Sequence, residues 1–459
     1  MKFLLTAALL ATVSVSTAFA NTAESDAPKN DRPKVGVVLA GGGAKGAAHV
    51  GVLKYLEEQG IPIDYIAGTS MGAIIGGLYA MGYSPDEIDH IIKGADWPLL
   101  LSNSVPRANE SYEVKKRNDT YLLSLSFSTK SIQKRYEAEE KIIEEEERLA
   151  RDGHVINQER SSDFLRSLPG GVIDGNNVAN LFNDLSVGYQ DSIDFRNLPV
   201  PYACVATNLV DGSQVVLESG RIAYAMRSSM AIPMVFAPTQ YNNMLLVDGG
   251  MVNNFPTDVC RDMGADYIIG VELTKGFKAD EGELQSIPGL FSQLFAIVTS
   301  GHNADNRKLC DIYIRPDVSG YGTMSFDAAS VDSLIERGYK EACKFQDQIE
   351  YVKKAVEING PVQKTINAGK ASYLADLDKI HITSISATGI DQKEARWLMR
   401  KWNIDVGKDI SPKELKDAVS KYIGTGRFKR VSYNTIKEDF IENGYRLELE
   451  FEPAEPHRV

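Results

Sequence analysis

The sequence predicts an α/β fold with a mostly parallel central sheet, followed by a smaller α+β domain. Three observations support this prediction: short apolar runs typical of buried strands, helical periodicity between most of them, and a glycine-rich turn directly after the first run. Alternating strands and helices place parallel strands side by side and cover both faces of the sheet with helices. The predicted strands of this larger unit cover residues 34–39, 64–67, 200–207, 266–273 and 311–316.

The pattern changes near the C-terminus. A mixed polar linker at residues 358–378 separates the larger unit, residues 34–357, from a small domain at residues 379–455. Because the linker lacks periodic apolar residues, we expect few contacts between the two parts. The small domain is predicted to have a β-α-α-β-β order, with elements at residues 380–386, 392–399, 412–423, 427–436 and 445–451 and a turn at Asn443-Gly444.

The first 20 residues have the pattern of a secretory signal peptide. Lys2 precedes an apolar run, small residues stand at Ala18 and Ala20, and a polar segment follows at residues 21–33. The apolar run is too short for a membrane-spanning helix. We therefore expect the chain to be exported to the periplasm, the outer membrane or the cell surface.

Charge and composition exclude some classes of protein. The formal net charge of −12 argues against nucleic acid as a partner, because neutralising phosphates requires clustered Lys and Arg. The six histidines show no metal-ligand spacing, so no metal site is predicted. The segment at residues 130–152 is dense in Glu, Lys and Arg, which predicts a projecting helical insertion that is either a solvated face or a lid or partner surface.

The stretch Gly41-Gly42-Gly43-Ala44-Lys45-Gly46, called here the glycine loop, follows the first predicted strand and precedes a helical pattern. Its G-x-G-x-x-G spacing is typical of a site for a dinucleotide pyrophosphate at a helix N-terminus. The same backbone N–H groups would equally stabilise a developing oxyanion. A dinucleotide site needs an acidic residue at the end of the second strand, whereas the nearby acid, Asp64, lies at the beginning of that strand.

The second predicted strand ends in Gly68-Thr69-Ser70-Met71-Gly72, and a helical pattern follows. A G-x-S-x-G stretch between a strand and a helix is typical of a nucleophile elbow, in which the glycines let the chain bend sharply and expose the serine hydroxyl. Ser70 is therefore the candidate nucleophile. The alternative is that Ser70 only caps the helix that follows.

A nucleophilic serine needs a proton acceptor. A chain order of Ser, Asp and His would leave His302 or His381, but His381 lies in the small domain and no loop signal presents His302. Asp248 is the better candidate, because it ends an apolar strand at a Gly249-Gly250 turn from which a side chain can reach the edge of the sheet. The same Asp-Gly pair is also compatible with plain turn chemistry.

The glycine loop, the elbow, residues 228–236 and the Asp248 turn occur in the order found in patatin-like phospholipases, and the sequence resembles that family over about residues 34–316. The resemblance implies a patatin-like three-layer fold and a Ser–Asp dyad, with Ser70 as nucleophile and Asp248 as proton acceptor. It also implies that the glycine loop forms the oxyanion hole. The residues assigned to that hole are Gly41, Gly42, Gly43, Ala44, Lys45 and Gly46, and those assigned to the elbow are Gly68 and Gly72.

The small domain resembles a POTRA domain, a periplasmic module of outer-membrane β-barrel proteins. The resemblance rests on the order of the elements and on Gly426-Arg427-Phe428. It implies a secreted bacterial type of patatin-like protein, in which an outer-membrane barrel, absent from this chain, would follow the module.

These observations predict a serine lipid acyl hydrolase of the phospholipase A or esterase type that needs no cofactor. The expected partners are a phospholipid or other acyl-ester substrate, a membrane surface and a second copy of the chain in a homodimer. Two other classes stay open. A nucleotide-binding oxidoreductase would explain the glycine loop but not Ser70, and a non-catalytic outer-membrane assembly protein would explain the small domain but not the Ser–Asp pair.

Overall fold

The computed structural model describes residues 32–112, 114–116, 173–273, 293, 303–357, 369–438 and 440–454. The described residues from Pro33 onward belong to one compact unit. The predicted signal peptide, the charged segment at residues 130–152 and most of the linker lie outside the described residues, as does His302. The boundaries of the predicted domains therefore stay a prediction.

The larger part of the described chain contains two sheets and the helices around them. Its strands are β1 (Val35–Leu39), β2 (Tyr65–Thr69), β3 (Ile193–Asp194), β4 (Tyr202–Asn208), β5 (Gln214–Leu217), β6 (Ser219–Gly220), β7 (Thr239–Tyr241), β8 (Met244–Asp248), β9 (Tyr267–Val271) and β10 (Ile312–Ile314). Its helices are α1 (Ala47–Glu58), α2 (Met71–Ala80), α3 (Pro85–Gly94), α4 (Trp97–Leu100), α5 (Asn176–Leu185), α6 (Ile222–Ser229), α7 (Thr257–Asp262), α8 (Ala328–Cys343) and α9 (Gln346–Val356).

The central sheet is mixed, which corrects the prediction of a mostly parallel one. Its order is β10-β9-β1-β2-β4-β8-β7, with β5 also paired to β4, and β3 and β6 form a separate pair. The first five strands of that order run parallel, whereas β5, β8 and β7 pair antiparallel. A short turn explains one of these antiparallel pairs: Asn242 and Asn243, between β7 and β8, both have positive φ, at 45° and 63°, which is the conformation of a tight hairpin turn.

Both faces of the sheet are covered, as the alternation of strands and helices predicts. In β1, the side chains of Val35, Val37 and Leu39 pack into the larger core with residues of α1 and α2. Val38, which lies between Val37 and Leu39, packs instead into a smaller core with Val259 of α7. A strand that is apolar on both faces is typical of the interior of a parallel sheet.

The C-terminal part forms a four-stranded sheet in the order β12-β11-β14-β13, and the predicted order of strands and helices is confirmed. A short extra strand, β12, precedes the second helix. Asn443 has a φ of 52° and lies at the predicted turn before the last strand. The elements are β11 (Ile380–Thr388), α10 (Gln392–Lys401), β12 (Asp409–Ile410), α11 (Pro412–Gly424), β13 (Phe428–Glu438) and β14 (Gly444–Pro453).

The expectation of few contacts between the two parts is wrong. The edge strand β13 has backbone groups without a partner strand, and side-chain amides of α5 pair with them. Asn183 Nδ2 donates to the Tyr433 carbonyl at 2.7 Å, and the Tyr433 N–H donates to Asn180 Oδ1 at 3.3 Å. The i, i+3 spacing on the helix thus matches the edge of a strand and protects that edge from other partners.

This contact also buries a carboxyl group. Asp184 Oδ1 accepts a hydrogen bond from the Tyr433 hydroxyl at 2.7 Å, and both residues are buried. Burial raises the pKa of Asp184 from 3.8 to about 7, although Tyr433 and Lys416 partly offset the shift. Because the folded state disfavours the carboxylate, this group stabilises the fold below pH 4, and that contribution is lost as the pH rises towards 7.

Replacing Asp184 by asparagine should therefore remove a pH dependence of stability. We expect the free energy of unfolding of the unmodified chain to include a fall of about 3–4 kcal/mol between pH 4 and pH 7 from this group, which Asp184→Asn lacks. Urea titrations across that range measure the difference. Asp262→Asn, at an exposed position, is the matched control. Equal pH slopes for Asp184→Asn and the unmodified chain would contradict the assignment.

Candidate active site

The elbow at Ser70 is formed by a strand, a sharp turn and a helix, as predicted. Ser70 joins β2 to α2 with a φ of 55° and a ψ of −122°, a conformation that is strained for a residue with a side chain. A Cβ atom on Gly72 would lie 2.0 Å from the Leu39 carbonyl oxygen, and one on Gly68 would lie 2.5 Å from the Gly72 carbonyl oxygen. Both glycines are therefore required by close packing of the backbone.

The side chain of Ser70 does not cap α2, so the capping alternative is excluded. Its backbone N–H instead donates to Ser229 Oγ at 2.9 Å, and the Ser229 hydroxyl donates to the Val205 carbonyl at 2.6 Å. Ser229 lies in the stretch 228–236 that carried part of the family resemblance, although the sequence alone did not assign it a contact. It fixes the strained elbow from outside the motif.

Asp248 lies beside the elbow because both strands that lead to the site pair with β4. The β4 register places Thr69 opposite Val205 and Asp248 opposite Ala206, the next residue along β4. Asp248 is completely buried, and its Oδ1 accepts the Gly250 N–H at 2.8 Å. Its Oδ2 is buried and has no hydrogen-bond partner among the described residues.

The electrostatics of this carboxyl group suit a proton acceptor. Burial raises the pKa of Asp248 from 3.8 to about 6, while the Ser70 hydroxyl and the Gly250 N–H act in the opposite direction. The Ser70 hydroxyl is thus near enough to lower the pKa of Asp248, although no hydrogen bond of ordinary geometry joins it to Oδ2. Such bonds often tighten only when substrate is bound.

The glycine loop passes directly against the serine. A Cβ atom on Gly41 would lie 3.0 Å from Ser70 Cβ. The loop is held at its start by Asn254, whose carbonyl accepts the Gly41 N–H at 3.2 Å and whose Nδ2 donates to the Gly41 carbonyl at 3.3 Å. Asn254 carries no motif signal, so the sequence did not reveal it.

The far side of the glycine loop contacts a segment that is distant in the chain. The Ala44 N–H donates to the Thr323 carbonyl at 2.9 Å, so this N–H group of the predicted oxyanion hole has a partner in this structure. Gly43 has a φ of 59°, and a Cβ atom there would lie 2.5 Å from the Thr323 carbonyl oxygen. Gly46 packs against Met71, and Lys45 is half-buried.

Other predicted candidates lie elsewhere. Asp64 immediately precedes β2, and its carboxylate accepts the Val35 N–H at 2.9 Å. It therefore does not lie at the end of the strand, where a ribose would lie. His381 lies on β11 of the C-terminal sheet and pairs with Asp409, with Nδ1 and Oδ1 2.6 Å apart. None of the three described histidines hydrogen bonds with Ser70 or Asp248.

Within the part of the chain that the structure describes, no group of His, Cys, Asp and Glu residues is arranged to hold a metal ion. Among the helices in the same ranges, none combines the length and apolar character that crossing a membrane requires.

The part of the chain that contains Ser70 and Asp248 is similar to known proteins. Residues 37–261 match the model of a family described as "Patatin-like phospholipase". An uncharacterised NTE family protein of Mycobacterium tuberculosis is 31% identical over 241 residues, which are 52% of this chain and 49% of that protein. Residues 37–261 are therefore similar to a patatin-like phospholipase domain, and the central sheet of this part of the chain is a mixed sheet with helices around it.

More distant similarities extend further along the chain. Lysophospholipase NTE1 of Meyerozyma guilliermondii is 26% identical over 334 residues, which are 66% of this chain and 19% of that protein. A crystal structure of VipD from Legionella pneumophila is 19% identical and covers 69% of this chain and 67% of that chain, with a TM-score of 0.37. The chain spans about half the length of the mycobacterial relatives that it matches.

Proposed function

We propose that this protein is a serine lipid acyl hydrolase of the phospholipase A or esterase type. The observation that carries the proposal is the strained Ser70 beside a buried Asp248 whose Oδ2 has no partner among the described residues. The patatin-like domain and the relative named lysophospholipase support the same reaction class. Neither a dinucleotide site nor a purely structural role explains a buried carboxyl group beside an elbow serine.

The reaction follows from these groups. Ser70 Oγ attacks the ester carbonyl carbon while Asp248 Oδ2 accepts the hydroxyl proton, and backbone N–H groups of the glycine loop stabilise the oxyanion. The C–O bond to the alcohol then breaks, and Asp248 returns the proton to the departing oxygen. Water attacks the acyl-serine in the same way and releases the fatty acid and free Ser70. No cofactor takes part in these steps.

Location and partners belong to the same proposal. The β-α-α-β-β order of the C-terminal part supports a POTRA-like module. The pattern of residues 1–20 supports export to the periplasm, outer membrane or cell surface. On this proposal the domain acts on phospholipid or another acyl ester at a membrane surface. A homodimer stays part of the proposal.

Labelling with a fluorophosphonate tests the nucleophile. We expect one equivalent of probe to attach at Ser70, as measured by intact mass and peptide mapping, because only an activated serine reacts readily. Ser70→Ala should abolish labelling and hydrolysis of a short soluble ester. Ser213→Ala, at an exposed turn, should retain both. Labelling at another serine, or NAD(P)H fluorescence quenching without any labelling, would contradict the proposal.

A further inference from the structure

A buried histidine stands directly behind the glycine loop. His49 lies in the first turn of α1, is completely buried, and has its Nε2 2.7 Å from the Ala40 carbonyl oxygen. Because a carbonyl oxygen only accepts hydrogen bonds, Nε2 must carry the hydrogen. Burial is the main cause that lowers the pKa of His49 to about 4, so the ring is neutral over the range in which Asp248 titrates.

The bond from His49 holds one end of a peptide unit whose other end is also held. Ala40 joins β1 to the glycine loop, and its N–H donates to the Val271 carbonyl at 3.0 Å. The peptide between Ala40 and Gly41 has its carbonyl oxygen bound by His49 and its N–H bound by the Asn254 carbonyl. The orientation of this peptide plane therefore depends on the His49 side chain, nine residues further along, and on the Asn254 carbonyl, which is distant in the chain.

We propose that His49 is a positioning residue for the glycine loop: its hydrogen bond to Ala40 sets the direction in which the loop leaves β1 and so aims the N–H groups of Gly42 and Gly43 at the oxyanion. The proposal rests on the proposed hydrolase function. Three consecutive glycines have wide conformational freedom, so the loop needs external contacts to hold one shape. Oxyanion donors lose their effect when they are displaced by a fraction of an ångström to one ångström.

A competing explanation is that His49 is itself the general base. The geometry argues against it, because Nε2 is engaged with Ala40, and Nδ1 is buried without a hydrogen-bond partner among the described residues. Both explanations predict a loss of activity when the imidazole is removed. An experiment must therefore separate the donated hydrogen bond from proton acceptance.

Two amide variants make this separation. The Nε2 amide of glutamine reaches about as far as imidazole Nε2, whereas the shorter asparagine amide reaches only as far as Nδ1. We expect His49→Gln to keep kcat within about fivefold of the unmodified chain and His49→Asn to lower kcat by about 10- to 100-fold, with KM changed less than about threefold in both. Neither amide can act as a base. Hydrolysis of a soluble ester by the full chain, with urea unfolding of each variant, measures both effects.

The controls distinguish a failure of the His49 positioning role from a failure of the proposed hydrolase function. His90→Gln, at an exposed position on α3, should leave kcat unchanged. If folded His49→Gln is as inactive as Ser70→Ala, or if folded His49→Asn is as active as the unmodified chain, the positioning role is overturned. If His49→Asn does not fold, the activity of His49→Gln alone decides between the two explanations. If Ser70→Ala retains hydrolysis, the proposed function fails whatever the His49 variants show.

Discussion

Replacing Asp248 by asparagine should lower kcat on a soluble ester by about three to four orders of magnitude, because the variant keeps the shape of the side chain but cannot accept the Ser70 proton. The asparagine carbonyl oxygen can still accept the Gly250 N–H. Burial raises the pKa of Asp248 to about 6, so the carboxylate costs stability as the pH rises from 4 to 6. We therefore expect the variant to be at least as stable as the unmodified chain at pH 8.

The pH dependence of the same variant gives an independent check. In the unmodified chain, kcat/KM should rise about tenfold per pH unit below pH 6 and level off above it, since only the carboxylate accepts the proton. The residual activity of Asp248→Asn should not follow this limb. Asp262→Asn and His302→Asn are the controls and should remain near full activity. A large loss at His302 together with an active Asp248→Asn protein would overturn the Ser–Asp dyad.

Replacing Gly43 by valine should remove about 3–4 kcal/mol of transition-state stabilisation, or roughly 10²- to 10³-fold in kcat. The φ of 59° is unfavourable for a β-branched residue, and the new Cβ would lie 2.5 Å from the Thr323 carbonyl oxygen. The loop must therefore move, and at least one N–H group moves with it. The rates of ester hydrolysis and of fluorophosphonate labelling at Ser70 should fall in parallel.

A matched glycine separates this effect from a general loss of stability. Gly407 also has a positive φ, at 79°, but no atom lies within 4 Å of the position of its missing Cβ. Gly407→Val should lower the free energy of unfolding through backbone strain and leave the kcat of the folded protein unchanged. If Gly43→Val has unchanged kinetics, the glycine loop has a packing role or the dinucleotide role instead.

The sequence was sufficient wherever a conformation depends on neighbours along the chain. The elbow at Ser70 requires small residues on both sides of a sharp bend, and Gly68 and Gly72 meet that requirement within five positions. The order of strands and helices in the C-terminal part follows from the change between two-residue and 3.6-residue periodicity of its apolar residues, and the structure confirms this order. The turn at Asn443 is likewise a local property.

Only the tertiary structure decided which distant residues meet. The register of β4 brings Asp248 beside the elbow, and the hydrogen bonds between α5 and β13 join the larger part of the chain to the C-terminal part. Ser229 and His49 each support the elbow or the glycine loop through one hydrogen bond, and Asn254 supports the loop through two. A serine, an asparagine or a buried histidine has the same local signal with or without such a partner, because its partner is set by strand register and helix packing. The partners here lie nine residues away for His49, 159 for Ser229 and 213 for Asn254.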